Sequence, residues 1–275
     1  MEARLQRRVQ RYGWDRAATS YEPLWRTQLA TAQHELMRHA ALVPGERVLD
    51  VACGTGSAAL DAATVVGPSV GSTGRVVGVD LSGRMIDAAR RRAAECGAVN
   101  ATFERMDAED LALPDASFDV VLCALGLMYV PDPARALREM HRVLRPGGRL
   151  VVAVWGDRSL CGWSPLFSII DGEVETEVCP LFFRLGENDT LARLCADASF
   201  EVLHKRRIAT TLEYADADEA CRAAFIGGPV ALAWSRFADD VRARVRRCYI
   251  EALEPWKRER GYQVPGEFVI VKAAA

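Results

Sequence analysis

Between residues 46 and 155, short apolar runs alternate with stretches in which apolar and charged positions recur at helical spacing. The runs 47–51, 75–80, 101–106, 118–123 and 149–155 are rich in Val and Leu on consecutive positions, not alternating ones. That pattern predicts strands buried on both faces, as in a parallel sheet covered by helices. The intervening segments 57–66, 83–96 and 133–144 are each long enough for a crossover helix, so the order of elements predicts a doubly wound, Rossmann-like α/β fold. Punctuation agrees: Pro44-Gly45 precedes the first strand, Pro131-Asp132-Pro133 opens the last crossover helix, and Arg145-Pro146-Gly147-Gly148 closes it. Residues 67–74, Gly-Pro-Ser-Val-Gly-Ser-Thr-Gly, predict a flexible loop.

The flanks read differently. Residues 1–43 predict helix, with aromatics at Tyr12, Trp14, Tyr21 and Trp25, whereas 157–199 lose periodicity. Residues 216–258 read as two helices split at Gly227-Gly228-Pro229, and strand signals return at 200–212 and 267–272. The expected organisation is a helical lid over 1–44, a cofactor-binding core over 45–156, and cap insertions with sheet-completing strands over 157–275.

Composition narrows the classes. A chain of 275 residues with 50% hydrophobic and 26% charged positions can bury a core without disulfide or metal staples. Its 35 basic and 37 acidic residues leave a net charge of −2, so no basic excess exists to neutralise phosphates, and nucleic acid is not expected as a partner. The eight cysteines (53, 96, 123, 161, 179, 195, 221, 248) form no C-x-x-C pair and no zinc-spaced cluster, which points to a reducing compartment and no metal. The first twenty residues lack an apolar signal core, and no run of about 18 uncharged apolar residues occurs, so a cytoplasmic protein without integral membrane association is expected. The basic runs Arg90-Arg91-Arg92 and 242–247 read as solvated helix faces.

Chemistry concentrates in Val48-Leu49-Asp50-Val51-Ala52-Cys53-Gly54-Thr55-Gly56-Ser57, where a strand gives way to a turn with two glycines and then a helix. Such a turn lets a ligand approach backbone closely and meet free helix N–H groups. Gly54-x-Gly56-x-x-Ala59 also fits a dinucleotide turn. Asp80 ends the second strand, where a carboxylate can accept both hydroxyls of a ribose. Asp50 lies four residues before Gly54, and Asp107 and Ala108 follow the third strand, where an adenine edge could be read. A ligand with an ammonium group, a ribose and an adenine, but no diphosphate, suits this set.

In these segments the chain resembles the class I S-adenosylmethionine-dependent methyltransferases, specifically those similar to the C-methyltransferases of ubiquinone and menaquinone biosynthesis. The matching stretches are VLDVACGTG (48–56), VVGVDLSGRMIDAAR (76–90), MDAEDLALPDASFDVVLCALGLMYVPD (106–132) and ALREMHRVLRPGGRLVVAVW (136–155). The resemblance implies a seven-stranded sheet whose last strand, at 267–272, is antiparallel. It implies S-adenosylmethionine as cofactor, leaving S-adenosylhomocysteine. On matching positions it sets Ala52, Gly54 and Gly56 under the amino-acid portion with Asp50 nearby. It makes Asp80 the ribose clamp, Leu81 and Met85 the adenine flanks, Asp107 and Ala108 the adenine readers, and Cys123-Ala124-Leu125 a wall beside the sulfonium. Cys53 stands where many members of the wider class carry glycine.

Tyr21 is a candidate lid aromatic over the cofactor, and Tyr129, Trp155 and Trp25 are candidate substrate contacts. No general base is obvious: Tyr129 and His141 are the catalytic candidates, but His141 shares a helical face with Ala134, Leu137 and Leu144, as a packed histidine would. The expected activity is in-line methyl transfer to oxygen or carbon of an aromatic, quinone or polyketide-like small molecule, as in secondary metabolism, with a homodimer allowed. The same glycine turn admits a nicotinamide-dependent oxidoreductase, although no Tyr-x-x-x-Lys pair occurs, or a non-catalytic adenosyl-ligand binder. The cysteines raise arsenite methylation, which would need Cys53, Cys123, Cys161 and Cys179 to converge.

Overall fold

The computed structural model describes residues 3–67, 73–175, 179 and 181–275; most of the predicted loop at 67–74 lies outside them. A 38-residue helix α1 (Ala3–Ala40) leads into β1 (Arg47–Val51), α2 (Ser57–Val66), β2 (Arg75–Asp80), α3 (Gly83–Glu95), β3 (Ala101–Arg105), β4 (Phe118–Ala124), α4 (Pro133–Val143) and β5 (Leu144–Trp155). Then follow α5 (Pro165–Asp171), α6 (Thr190–Asp197), β6 (Glu201–Tyr214), α7 (Ala217–Phe225), α8 (Ala231–Arg236), α9 (Asp239–Leu253) and β7 (Tyr262–Ala274). The core strands and crossover helices fall where the apolar runs predict them, within a residue or two except that β5 begins five residues earlier.

The sheet has seven strands in the order β3-β2-β1-β4-β5-β7-β6, with β7 antiparallel to both neighbours and the pairs from β3 to β5 parallel. Strand order reverses between β1 and β4, and at such a switch point the loops beyond the carboxyl ends diverge and leave a crevice. Val48, Leu49, Val120, Val121, Leu122, Leu150 and Val152 are fully buried, as continuous apolar strands require. The edge strand β6 is mostly exposed and carries Lys205-Arg206-Arg207, charges that discourage edge-to-edge association.

Three expectations need correction. The segment 216–258 holds three helices: α8 stops at Arg236 although no Gly or Pro marks the spot, and the Arg242 guanidinium donates to the carbonyls of Trp234 and Ser235 at its end. The returning strands are longer than their apolar cores suggest, because β6 and β7 pair from Glu201↔Ala274 to Tyr214↔Tyr262. The basic runs are not merely solvated. Arg90 donates to the Phe103 carbonyl, and Arg92 reaches across to α1.

Helix α1 spans about 57 Å at 1.5 Å per residue and packs against α2, α3, α7, α8 and strands β4 to β7. Three polar clamps tie its first half to the core. Arg7 bridges Asp107 and buried Glu109 beyond β3. Asp15 accepts from the Ser82 hydroxyl at 2.6 Å and from the Arg84 N–H at the start of α3. Glu22 accepts from the Thr55 hydroxyl at 2.7 Å, from Ser57 and, at 2.9 Å, from Arg92. Spacings of eight and seven residues keep all three on one side of the helix.

Candidate active site

The chain leaves β1 through a sharply turned segment. Ala52 has φ 57°, Gly54 φ 55° and Gly56 φ 83°, all left-handed. An alanine there costs about 1–2 kcal/mol, so Ala52 is held by its surroundings: Gly126 lies so close that a Cβ on it would come within 2.3 Å of the Ala52 Cβ. The next strand of the switch point ends likewise, with Leu125 at φ 59° after β4. The two tight turns fold backbone, not side chains, toward the crevice.

A cavity of about 1080 Å³ occupies the crevice beneath α1. Ala52, Gly54, Asp80, Leu81, Met85, Asp107 and Ala108 line one end, and Trp25, Tyr129 and Trp155 line the other, with Tyr21 over the Gly54 turn. Eleven of the candidate positions are thereby gathered into one space. A smaller recess of about 550 Å³ adjoins it, sharing Tyr21, Leu29, Ala52, Gly54, Ala124 and Leu125, and Asp50 opens onto that recess and not onto the main cavity.

Besides Asp50, three candidates are not brought to the cavity. Gly56 faces inward, where a Cβ would stand 3.0 Å from Phe103 and 3.1 Å from Ala89, so its missing side chain serves helix and strand packing. Cys123 is fully buried behind the wall that Ala124 and Leu125 present, and burial pushes its thiol up to about 12. His141, on α4, packs edge-on against Phe200 at 4.9 Å and does not line the cavity. Nor do the cysteines converge: Cys161 lies against the Glu267 carbonyl, Cys179 accepts from Gln10, and among the described residues no three metal-ligating side chains cluster.

The carboxylates differ in their surroundings. Asp80 accepts from the Gly54 N–H at 2.9 Å and the Ser82 N–H at 2.8 Å; burial still lifts it to about 6, with those two donors holding it back. Asp50 is fully buried and neither oxygen makes a well-formed hydrogen bond; burial carries it to about 8, with the Ala59 N–H at the start of α2 holding it back. Asp107 accepts from the Glu109 N–H and pairs with Arg7, while Glu109 is taken up by Arg7 and the Asp132 N–H. Burial raises the Tyr21 and Tyr129 phenols above their ordinary value, so both stay protonated near neutrality.

The opposite end is an arc of aromatic rings meeting edge to face. Tyr21 meets Trp14 at 5.7 Å, Trp14 meets Tyr129 at 5.0 Å, Tyr129 meets Phe182 at 5.4 Å, and Phe182 meets Trp163 at 5.4 Å. Trp163 in turn contacts Trp155 and Trp25 at 4.8 and 6.3 Å. Trp163 and Phe182 come from the aperiodic segment, where no sequence signal marks them. Trp14 could have been paired with Tyr21 from their seven-residue spacing, two turns apart on one face.

Comparison with known proteins agrees with this geometry. Residues 42–177 match the family model described as a methyltransferase domain. The demethylmenaquinone methyltransferase of Listeria monocytogenes is 37% identical over 49% of this chain and 55% of its own length. The ubiquinone/menaquinone biosynthesis C-methyltransferase of Ectopseudomonas mendocina is 41% identical over 53% and 54%. The chain thus spans about half the length of the curated relatives it matches. The crystal structure of a putative methyltransferase from Bacillus halodurans superposes with a TM-score of 0.63 at 21% identity, covering 88% of this chain and 97% of that one, a likeness of fold. Residues 42–177 therefore match a methyltransferase domain, and over this stretch the chain is similar to the C-methyltransferases of ubiquinone and menaquinone biosynthesis.

Proposed function

We propose that the protein transfers the methyl group of S-adenosylmethionine to an oxygen or carbon of a flat, apolar acceptor of aromatic, quinone or polyketide type. The observation that carries this reading is one continuous cavity joining the Gly54 and Asp80 end to an uncharged aromatic chamber. The names of the curated relatives, which include demethylmenaquinone and ubiquinone/menaquinone methyltransferases, make a quinone-type ring one member of the acceptor class.

The residues present fit the cofactor. Gly54 leaves the floor free of a side chain, Asp80 offers a carboxylate beside it, and the two unpartnered oxygens of Asp50 suit an ammonium group in the recess. Leu81 and Met85 would flank the adenine, with Asp107 and Ala108 at its edge. When bound, S-adenosylmethionine supplies an electrophilic methyl on a positively charged sulfur. Tyr21, Trp14 and Tyr129 present aromatic surface that can steady such a cation by about 0.5–2 kcal/mol. Helix α1, clamped over the crevice, excludes water and limits the approach of the acceptor. Holding two reacting groups about 3–3.5 Å apart and in line can supply ~7–11 kcal/mol of barrier reduction.

Among the described residues, no side chain at the aromatic end is placed to remove a proton. The ionisable residues lining the cavity are Arg7, Tyr21, Asp80, Asp107 and Tyr129, and the charged ones stand at the cofactor end, while both tyrosines stay protonated. The acceptor therefore brings its own acidity, as an acidic phenol, an enol or a stabilised carbon acid does. Incubation with labelled S-adenosylmethionine and a library of phenols, hydroxyquinones, amines and thiols tests the reading by mass spectrometry. A product heavier by one methyl supports it. Absence of binding to S-adenosylmethionine and S-adenosylhomocysteine, with saturable binding of NADH, overturns it.

A further inference from the structure

Trp163 is 3% exposed and lines the aromatic end of the cavity, yet its indole N–H is buried without a partner in the protein. The contrast with Trp25 is direct, since the Trp25 indole N–H donates to the Ala223 carbonyl at 3.1 Å. A buried donor left without a partner costs the full desolvation penalty of the group, and such groups are rare in folded proteins and call for a specific explanation, a functional role among them. The neighbours of the Trp163 ring are other rings: Trp155, Trp25, Phe182, Phe167 and Phe183. None of them offers a hydrogen-bond acceptor stronger than a π face.

Position matters as much as the missing partner. Trp163 sits against Trp155 at the end of β5, and Asp80 ends β2, three strand spacings away across β1 and β4. At about 4.8 Å per spacing the two lie on the order of 14 Å apart. The donor therefore belongs to the acceptor end of the cavity and not to the cofactor end. Among the described residues no charged side chain competes there, since Trp25, Met128, Leu166 and Phe182 also line that wall.

We propose that the Trp163 indole N–H donates to an oxygen of the methyl acceptor, which identifies the acceptor as a flat aromatic compound presenting a phenol, enol or ring carbonyl oxygen at the β5 end of the chamber. The inference rests on reading this cavity as the acceptor site of a methyltransferase. The hydrogen bond favours the ionised form of that oxygen and so offsets part of the penalty that burial in the chamber puts on its charge. The flat walls set the plane of the acceptor, and the single donor sets its rotation within that plane.

The experiment uses 2-naphthol and 2-methylnaphthalene, which share shape and differ in the hydroxyl. Both are titrated by tryptophan fluorescence into protein loaded with S-adenosylhomocysteine, and into the unliganded protein, for the wild type and Trp163→Phe. The wild type should bind the naphthol about tenfold more tightly, and the variant should keep its affinity for 2-methylnaphthalene while losing the preference. In wild-type protein carrying 15N-labelled tryptophan, one indole N–H resonance should move downfield with the naphthol and not with 2-methylnaphthalene. That measurement holds even if the variant folds poorly. A preference retained in Trp163→Phe, an absent indole shift, or failure of the wild type to prefer the naphthol overturns the proposal. Failure of S-adenosylhomocysteine to bind, with the naphthol preference intact in the unliganded protein, overturns the methyltransferase reading and leaves Trp163 as an oxygen-recognising donor.

Discussion

Replacing Asp50 by asparagine removes a carboxyl that is fully buried, unpartnered and pushed up to about 8 by burial, while leaving its shape. At pH 7 a group titrating near 8 is roughly nine-tenths protonated, and Asp80, near 6, is roughly one-tenth protonated. An ammonium group docking in the recess favours the ionised form of both, so S-adenosylhomocysteine binding should release about one proton at pH 7, nearly all of it from Asp50. Affinity should then rise close to tenfold per pH unit between about pH 6 and 7, more steeply below pH 6 where Asp80 is protonated as well, and flatten above pH 8. Calorimetric titration in buffers of different ionisation enthalpy measures the release directly. In Asp50→Asn it should fall to about 0.1 proton at pH 7, with the pH dependence of affinity largely gone above about pH 6.5. The same carboxyl bears on stability. Its folded value lies above its ordinary one, so its contribution is present in acid and is lost as pH rises through about 8. The unliganded variant should therefore outmelt the wild type by a margin that grows from pH 4 to 8 and then levels. Wild-type protein that binds the nucleoside with no proton release, or a variant that releases as many protons as the wild type, refutes the reasoning.

Three further perturbations have defined outcomes. Asp80→Ala should weaken S-adenosylhomocysteine binding by 10-fold or more, the cost of about 1.5–3 kcal/mol for lost hydrogen bonds to a charged group, while circular dichroism stays that of the wild type; unchanged affinity would remove Asp80 from the cofactor site. Glu22→Ala cuts the clamp to Thr55, Ser57 and Arg92, and should speed amide hydrogen exchange in the first half of α1 by roughly 5- to 30-fold, about 1–2 kcal/mol of local stability; exchange unchanged there would mean the clamp does not hold the helix. Gly56→Ala forces a Cβ to within 3.0 Å of Phe103 at φ 83°, and should cost about 1–3 kcal/mol, lowering the melting temperature by several degrees, whereas an unshifted melt would show that strand β3 yields without cost.

The sheet was readable because its strands are buried on both faces, so Val48-Leu49 or Val120-Val121-Leu122 carry the information in consecutive residues that no helix or half-exposed strand would bear. The cofactor end was readable for a related reason: Gly54, Asp80 and Asp107 stand at the ends of those strands, and chain order alone brings them to one edge. Gly56 shows where such reading fails. A glycine required by a ligand and one required by Phe103 and Ala89 look the same in a sequence. Helix α1 was visible both as a helix and as a lid, but the polar clamps that hold it were not, because its first half turns Gln6, Gln10, Arg7, Asp15 and Glu22 to the core, and only its second half, with Trp25, Ala32 and Leu36, carries an apolar stripe. Trp163 and Phe182 were invisible for another reason. They reach the cavity from turns and short helices whose path depends on tertiary contacts that leave no period in the chain.

The position of β7 sets a condition on assembly. It follows every other strand in sequence, yet lies between β5 and β6, so until residues 262–274 have emerged the β6 segment has no backbone ladder to join. During synthesis the half that carries Gly54 and Asp80 would already be paired from β3 to β5 while the Trp155 side still lacks Phe268. Cofactor affinity and acceptor affinity should accordingly be acquired at different moments of translation, the second only when β7 inserts between β5 and β6.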